Sequence, residues 1–272
     1  MKLKKINYRK LFKAVLWVVV VTGLISSLAF VSKSERQVRV KRLNISIHNN
    51  SENYFLSEDD VKSYLSKEGE DILSAEYKNI SIPQIEKTLN AHPAIENAEV
   101  AGEVNGELKI DVTQRTPVCR IVNLDGESYY IDSQSKLMPL NDNYTARVIV
   151  VNGNITEPYA RRYQYSVKQI RDNKIFSEVS MLDDVLEMVN YINADSTLSA
   201  LVHQIYVNED KDLLLFPAVG KQKIIFGKAE NIAEKFNKLK LFYTQGLNKT
   251  DNWNKYADIN LKYKNLVVCT KK

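Results

Sequence analysis

The chain has 272 residues, 44% of them hydrophobic and 9% aromatic, which rules out wholesale disorder and leaves room for one large or two small domains, each burying a core. Its net charge of +5 averages two unlike parts: residues 1–43 carry 11 Lys or Arg against one acid, and the rest carry 27 basic against 32 acidic groups. An acidic main body argues against nucleic-acid binding, which needs its basic face in the folded part.

Residues 1–13 hold six basic side chains and no acid, and they read as a cytoplasmic tail. Residues 14–31 then run for 18 positions without a charge. At about 1.5 Å per residue such a helix spans roughly 27 Å, close to a hydrocarbon core. A transmembrane helix is therefore expected here, with Lys13 able to snorkel. A cleaved signal peptide is the rival reading, because Ser27-Leu28-Ala29 offers a small-x-small site. Against it, the apolar run exceeds the usual ~7–15 residues of such a segment. The basic stretch Lys33–Arg42 weakens the charge asymmetry, but long folded domains translocate largely regardless of charge. The expected topology is a single pass with the N-terminus in the cytoplasm, a linker over 32–37 and an extracytoplasmic body.

From 38 to 115 the pattern is β-α-α-β-β. Val38–His48 alternates as a strand. Ser57 opens a capping box before Val61, Tyr64 and Leu65, and Ser81 and Pro83 open a second helix with Ile82, Ile85 and Leu89 on one face. His92-Pro93 ends it. Strands over Ile95–Val104 and Glu107–Gln114 flank Asn105-Gly106, which signals a two-residue hairpin turn. In the second of these strands Leu108, Ile110 and Val112 alternate with Lys109, Asp111 and Thr113, giving one covered face and one wet face.

Residues 116–272 read as a mixed β-domain with two packed helices, so the fold class is α+β. Strands are expected at Val118–Leu124, Ser128–Ile131, Lys136–Leu140 and Arg147–Val151, with turns at Asp125-Gly126 and Asn152-Gly153. Pro158–Phe176 fits neither period. It reads as a solvated insertion, although Arg161, Arg162, Lys168, Arg171 and Lys174 could touch an anionic surface. An amphipathic helix follows from about Glu178 to Asn193, with Val179, Leu182, Leu186 and Val189 and the flanking Met181, Val185 and Met188 on its buried side. Three strands come next (Val202–Val207, Leu213–Phe216, Lys223–Phe226), then a helix from about Lys228 to Thr244 that stops at Gly246. The chain closes with Asp258–Tyr263, a Lys264-Asn265 turn and Leu266–Thr270.

Chemistry is sparse. His48, His92 and His203 have no second ligand at metal spacing, and no nucleophile elbow, zinc-protease motif or phosphate loop occurs. Asp183-Asp184 are adjacent on a helix and point about 100° apart, so they are not a facing acid pair. No catalytic residue, metal, cofactor or small-molecule substrate is expected. Cys119 and Cys269 are too far apart in sequence for a CxxC motif; they are two buried free thiols on separate strands, or one disulfide in an oxidising compartment.

The order of parts and several stretches resemble the FtsQ/DivIB family of bacterial cell-division proteins. The first folded unit resembles that family's POTRA domain through F-L-S-E-D-D-V-K-S-Y-L (55–65), I-E-K-T-L-N-A-H-P-A-I-E-N-A-E-V (85–100) and L-K-I-D-V-T-Q-R-T-P-V-C-R-I (108–121). The β-domain is similar at G-E-S-Y-Y-I-D-S-Q-S-K-L-M-P-L (126–140) and at its close, Y-A-D-I-N-L-K-Y-K-N-L-V-V-C (256–269), against a family pattern near W-x-x-I-D-L-R-Y-x-N-x-V-V. Where that pattern has Asp and Arg, this chain has Asn260 and Lys262, which would turn a bidentate contact into a point charge.

The resemblance implies a non-catalytic divisome scaffold at the division septum of the inner membrane. It would bind membrane-anchored coiled-coil proteins of the FtsB/FtsL type and link them to septal peptidoglycan synthesis. A chain closing in a short hairpin can expose an edge strand that accepts a partner by main-chain pairing. On that reading Asn260 and Leu266 offer backbone partners, Tyr263 an aromatic anchor and Lys262 a charge, while Leu261, Val267 and Val268 are core. Two other classes share parts of the pattern. A POTRA-bearing outer-membrane assembly or secretion factor would need repeated units and a large barrel; an envelope peptidoglycan enzyme would need clustered titratable groups.

Overall fold

The computed structural model describes residues 16–26, 39–48, 54–69, 72–73, 75–103, 105–142, 144–160, 162–163, 165–177, 180–250 and 255–272. Helix α1 (16–26) is the described part of the expected membrane segment, with Trp17 and Val18 exposed and the Thr22 hydroxyl donating to the Val18 and Val19 carbonyls. Among the described residues no helix is long and apolar enough to cross a membrane. Residues 14–15 and 27–31 of that segment, the tail and the linker lie outside them.

The chain divides into two compact units, Met1–His48 with Leu56–Thr113 and Asn49–Phe55 with Gln114–Lys272. In the first, strand β1 (Arg42–His48) leads through helix α2 (Glu58–Lys67), a 3-10 turn (Tyr77–Asn79) and helix α3 (Ile82–Asn90) to strands β2 (Ile95–Gly102) and β3 (Glu107–Gln114). The sheet order is β1-β3-β2, and β1 runs parallel to β3 with Ile45 opposite Ile110 and Ile47 opposite Val112. A parallel pair cannot close with a tight turn, so α2 and α3 supply the crossover. Val61 and Leu65 of α2, Ile85 and Leu89 of α3, and Leu108, Ile110 and Val112 of β3 are all buried. The Ser57–Asp60 capping box forms. Ser81 occupies the cap position of α3 without a side-chain bond, so Pro83 rather than Ser81 sets that start.

The turn before β3 is longer than the Asn-Gly pair suggests. Glu103 N–H donates to Glu107 O and Gly106 N–H to Glu103 O, and Gly106 takes the left-handed φ of +90°. A Cβ there would lie 2.8 Å from the Arg39 carbonyl oxygen.

The second unit is a nine-stranded sheet. Its strands are β4 (Pro117–Val122), β5 (Ser128–Asp132), β6 (Leu137–Pro139), β7 (Ile149–Gly153), β8 (Val202–Val207), β9 (Leu213–Pro217), β10 (Lys223–Gly227), β11 (Tyr256–Asn260) and β12 (Val268–Lys271). They stand in the order β12-β11-β10-β9-β8-β7-β4-β5-β6. Between β7 and β8 lie helices α4 (Val167–Asp172), α5 (Lys174–Ser177), α6 (Leu182–Asn193) and α7 (Ser196–Leu201); α8 (Ile232–Leu241) and α9 (Asn248–Thr250) lie between β10 and β11. Val185, Met188 and Val189 of α6 and Phe236 and Leu239 of α8 share one core with Ile121, Ile205, Leu215, Ile224 and Ile259 of the strands. Phe236 is stacked on Tyr191 at 5.3 Å and lies 4.9 Å from Phe226. Phe55 also belongs to this unit, edge-on to Tyr130 at 5.9 Å and to Tyr144 at 5.2 Å.

Three sequence expectations fail here for physical reasons. Asn152-Gly153 is not a turn: both residues pair in parallel register with Tyr206 and Val207 of β8, so the chain must leave β7 by a helical crossover. Gly246 is not a left-handed stop, since the chain passes from α8 through a π-helical segment, Phe242–Leu247, into α9. And 158–176 is not a solvated insertion. Val167 and Ile170 enter the core, Ser166 and Gln169 form a capping box, and Arg162 is buried in an ion pair with Glu157. The Glu157 carboxylate also accepts from Met181 N–H (2.6 Å) and Ser180 Oγ (3.2 Å), while its carbonyl accepts from the Tyr129 hydroxyl (2.9 Å) and Asn123 Nδ2 (3.0 Å).

Cys119 and Cys269 are free thiols, the first buried and the second half-buried. They sit on β4 and β12, six strand steps apart in the sheet. At ~4.8 Å per step that is roughly 29 Å, far beyond the ~7 Å Cα limit of a disulfide.

Candidate partner-binding edge

The 9-stranded sheet has two edges, and they differ. At one end β6 is three residues long, ends in Pro139, and is flanked by a bridge between Lys136 and Ser166. A short strand carrying proline is a poor template for further pairing. At the other end β12 is antiparallel to β11, with Asn260 opposite Val268, Ile259 opposite Cys269 and Asp258 opposite Thr270; no described strand lies on its outer side. Strand β11 is paired on both sides, since Lys223, Ile224 and Ile225 of β10 lie opposite Asp258, Ile259 and Asn260. The backbone of Asn260 is therefore already inside the sheet, and the free edge belongs to Val268–Lys271.

The bend joining β11 to β12 is fixed from within. Asn260 Oδ1 accepts from Lys262 N–H at 3.0 Å, the local turn an Asx residue can make. Leu261 is fully buried. Lys238 on α8 donates its ammonium to the carbonyls of Leu261 (3.3 Å) and Tyr263 (2.7 Å). Asn265 takes φ +59°, the left-handed region that Asn tolerates, and Leu266 N–H points back to Tyr263 O at 3.5 Å.

Lys262 is not a free charge. Its ammonium lies 2.7 Å from Asp212 Oδ2, and Lys228 approaches Asp212 Oδ1 at 3.5 Å. The stem of Lys262 lies against Gly227, where a Cβ would meet its Cγ at 2.9 Å. The hydrogen bond from Lys262 holds the Asp212 carboxyl below the ordinary carboxylate range, and the same bond raises the Lys262 ammonium. Asp212, Gly227 and Lys238 carry no local signal of this role, being 50, 35 and 24 positions from Lys262.

Beside the exposed Lys264, Asn265, Thr270 and Lys271, three large apolar side chains are also turned outward. Tyr263, Leu266 and Val268 are 53%, 61% and 45% exposed, and Val267 alone of that group packs against the core. Val268 was expected inside; as the first residue of an edge strand it has a neighbour on one side only. Tyr263 and Leu266 thus flank the bend beside an unpaired strand edge, an arrangement that can take an extended segment by main-chain pairing with side chains resting on an apolar shelf.

The titratable groups elsewhere are dispersed. His48 Nε2 lies 3.5 Å from Asp111 Oδ1, and His92 stands edge-on to Tyr64 at 4.6 Å, with burial lowering its pKa. Burial, then the neighbouring Asp183, raises Asp184. Among the described residues no group of three His, Cys, Asp or Glu could hold a metal ion.

Residues 116–270 match the family model described as FtsQ/DivIB, C-terminal related, and residues 39–113 match a POTRA-like domain. No curated protein matches the chain.

Proposed function

This chain belongs to the FtsQ/DivIB-related family, and from that premise we propose that it is a division scaffold whose C-terminal edge receives membrane-anchored partners of the FtsB/FtsL type. Domains of this kind are division-associated, and the family is generally non-catalytic. On the proposed reading residues 14–31 anchor the body to the inner membrane at the septum, with the tail of 1–13 inside the cell. Residues 38–115 form the POTRA-like domain, 116–272 the β-domain, and the scaffold couples its partners to septal peptidoglycan synthesis.

The observation that supports this most is the asymmetry of the sheet edges: β6 is short and ends in proline, whereas β12 is open beside Tyr263 and Leu266. Tyr263 and Leu266 are the side-chain contacts and Val268–Lys271 the backbone contacts. Asn260 and Lys262 act at one remove, by holding the bend. Capture of an FtsB/FtsL-type partner by the detergent-solubilised full chain tests the reading. Tyr263→Ala with Leu266→Ala is expected to reduce capture at least tenfold with circular dichroism unchanged. Full capture by the double variant would refute it.

A further inference from the structure

A second concave site lies well away from that edge. Strands β4, β7 and β8 run parallel, and at their N-terminal ends, beside the end of α6 and α7, they leave a cleft of about 460 Å³. That is within the ~300–1,000 Å³ range of small-ligand sites. In sheet order β8 is four steps from β12, or roughly 19 Å, so this cleft does not depend on the edge-strand reading.

Two irregularities of the sheet coincide here. Between Pro117 and Cys119 the β4–β5 register slips, leaving Val118 without an opposite residue, and between Val202 and Gln204 the β8–β9 register slips in the same way at His203. Each is a two-against-one bulge, a device that re-aims a side chain out of the ladder. Both bulged residues line the cleft. Asn193, at the end of α6, donates Nδ2 to the displaced Val118 carbonyl at 3.3 Å, which holds the first bulge in place.

The one permanently charged side chain named in the lining is a cation, Arg147. Arg147 and His203, both exposed, line the cleft with Ser199 and Asn193, among valine and isoleucine residues, and among the described residues no carboxylate lines it. Among the described residues Arg147 has no ion-pair partner and His203 no side-chain hydrogen bond. Asp195, the acid nearest to Asn193 along the chain, is engaged with Lys240 (2.8 Å) and with the amides of Thr197 and Leu198 that it caps. A guanidinium left unpaired in a partly apolar cleft is a fork suited to a carboxylate, with imidazole, hydroxyl and amide groups to complete its hydrogen bonds.

We infer that this cleft binds a carboxylate carried on a small apolar body, with Arg147 as the charge anchor, His203 and Ser199 as further donors, and the valines seating the apolar part. The carboxylate could belong to a free small acid or to the C-terminus of a peptide, which share this chemistry. Calorimetric titration of the full chain in detergent with N-acetylvaline, its uncharged amide and acetyl-Gly-Gly-Val separates the cases. Both carboxylates are expected to bind, the amide at least tenfold more weakly, and Arg147→Gln is expected to weaken both about tenfold. His203→Gln should produce a smaller loss, and Arg171→Gln, which alters a surface cation outside the cleft, none. Tighter binding of the tripeptide assigns a peptide terminus; tighter binding of N-acetylvaline assigns a free acid. Because Arg147 is exposed and unpaired, Arg147→Gln should melt as the unaltered chain does, so lost binding cannot be attributed to unfolding. Equal affinity for acid and amide, equal affinity of Arg147→Gln and the unaltered chain, or no binding of either carboxylate overturns the inference.

Discussion

Replacing Lys262 by Met separates a charge that holds the fold from one that meets a partner. Met keeps most of the stem that lies against Gly227 and removes the ammonium 2.7 Å from Asp212. A hydrogen bond to a charged group contributes about 1.5–3 kcal/mol, and an exposed ion pair about 0–1. The Asp212 side chain is 10% exposed and that of Lys262 49%, so the pair falls between these cases, and Lys228 remains near the carboxylate as a partial substitute. The expected loss is about 1–2 kcal/mol, which for a domain of this size lowers the melting temperature by roughly 2–8 °C. Asp212→Asn should cost a similar amount, and the double variant should cost less than the two added together, with a coupling of about 1 kcal/mol.

Calorimetry of the full chain, reading the transition of the second domain, measures this. The pH dependence follows from the two shifts. Asp212 is depressed, so its contribution is full above the ordinary carboxylate value of ~3.9 and fades as pH falls through its lower folded value. Lys262 is raised, so its contribution is full below ~10.4 and fades as pH rises through its higher folded value. The gap between the two proteins should therefore stay level from about pH 5 to 9 and close outside that window. A Lys262→Met chain that melts like the unaltered one but fails to capture its partner would refute the internal role.

Asp132 is the more deeply set acid: its carboxylate is 2% exposed and accepts from Arg115 Nε (2.6 Å), Lys136 N–H (2.7 Å) and Gln134 N–H (3.0 Å). Asp132→Ala leaves a buried guanidinium uncompensated and should cost about 3–5 kcal/mol in denaturant unfolding; a loss below about 1 kcal/mol would contradict a buried pair. Gly106→Ala forces a side chain into φ +90° against the Arg39 carbonyl and should destabilise the first unit by at least about 1 kcal/mol, read from its own unfolding transition. Burial pushes the Cys119 thiol up to about 12, while Cys269 is raised less far. Iodoacetamide at pH 8 should therefore label Cys269 in the native chain and Cys119 only after denaturation, with an intact mass unaffected by reductant; a reductant-dependent mass would reveal the disulfide that the strand order excludes.

Much of the fold was legible because its signals are local. The alternation of Leu108, Ile110 and Val112 and the helical spacing of Leu182, Val185, Leu186 and Val189 each report one covered face, and those faces are buried. Signals whose meaning depends on a distant partner misled. Asn152-Gly153 has the composition of a hairpin turn, yet β8, some 50 residues on, pairs with it in parallel. Arg162 looks solvated in sequence because the Glu157 network that buries it draws on Ser180 and Met181. The candidate site divides in the same way. Tyr263 and Leu266 lie on a hairpin that the sequence announces, whereas the engagement of Lys262 depends on Asp212, and the free edge on which strand β11 pairs with, neither of which local pattern encodes.

Hydrogen exchange of the full chain, alone and with the extracytoplasmic segment of an FtsB/FtsL-type partner, tests the central claim most directly. An open strand edge that accepts a partner gains main-chain hydrogen bonds, so amides within 266–271 should exchange at least tenfold more slowly in the complex, while those of the opposite edge at 137–139 should not change. Binding that leaves the exchange of 266–271 unaltered would place the partner elsewhere and contradict the account.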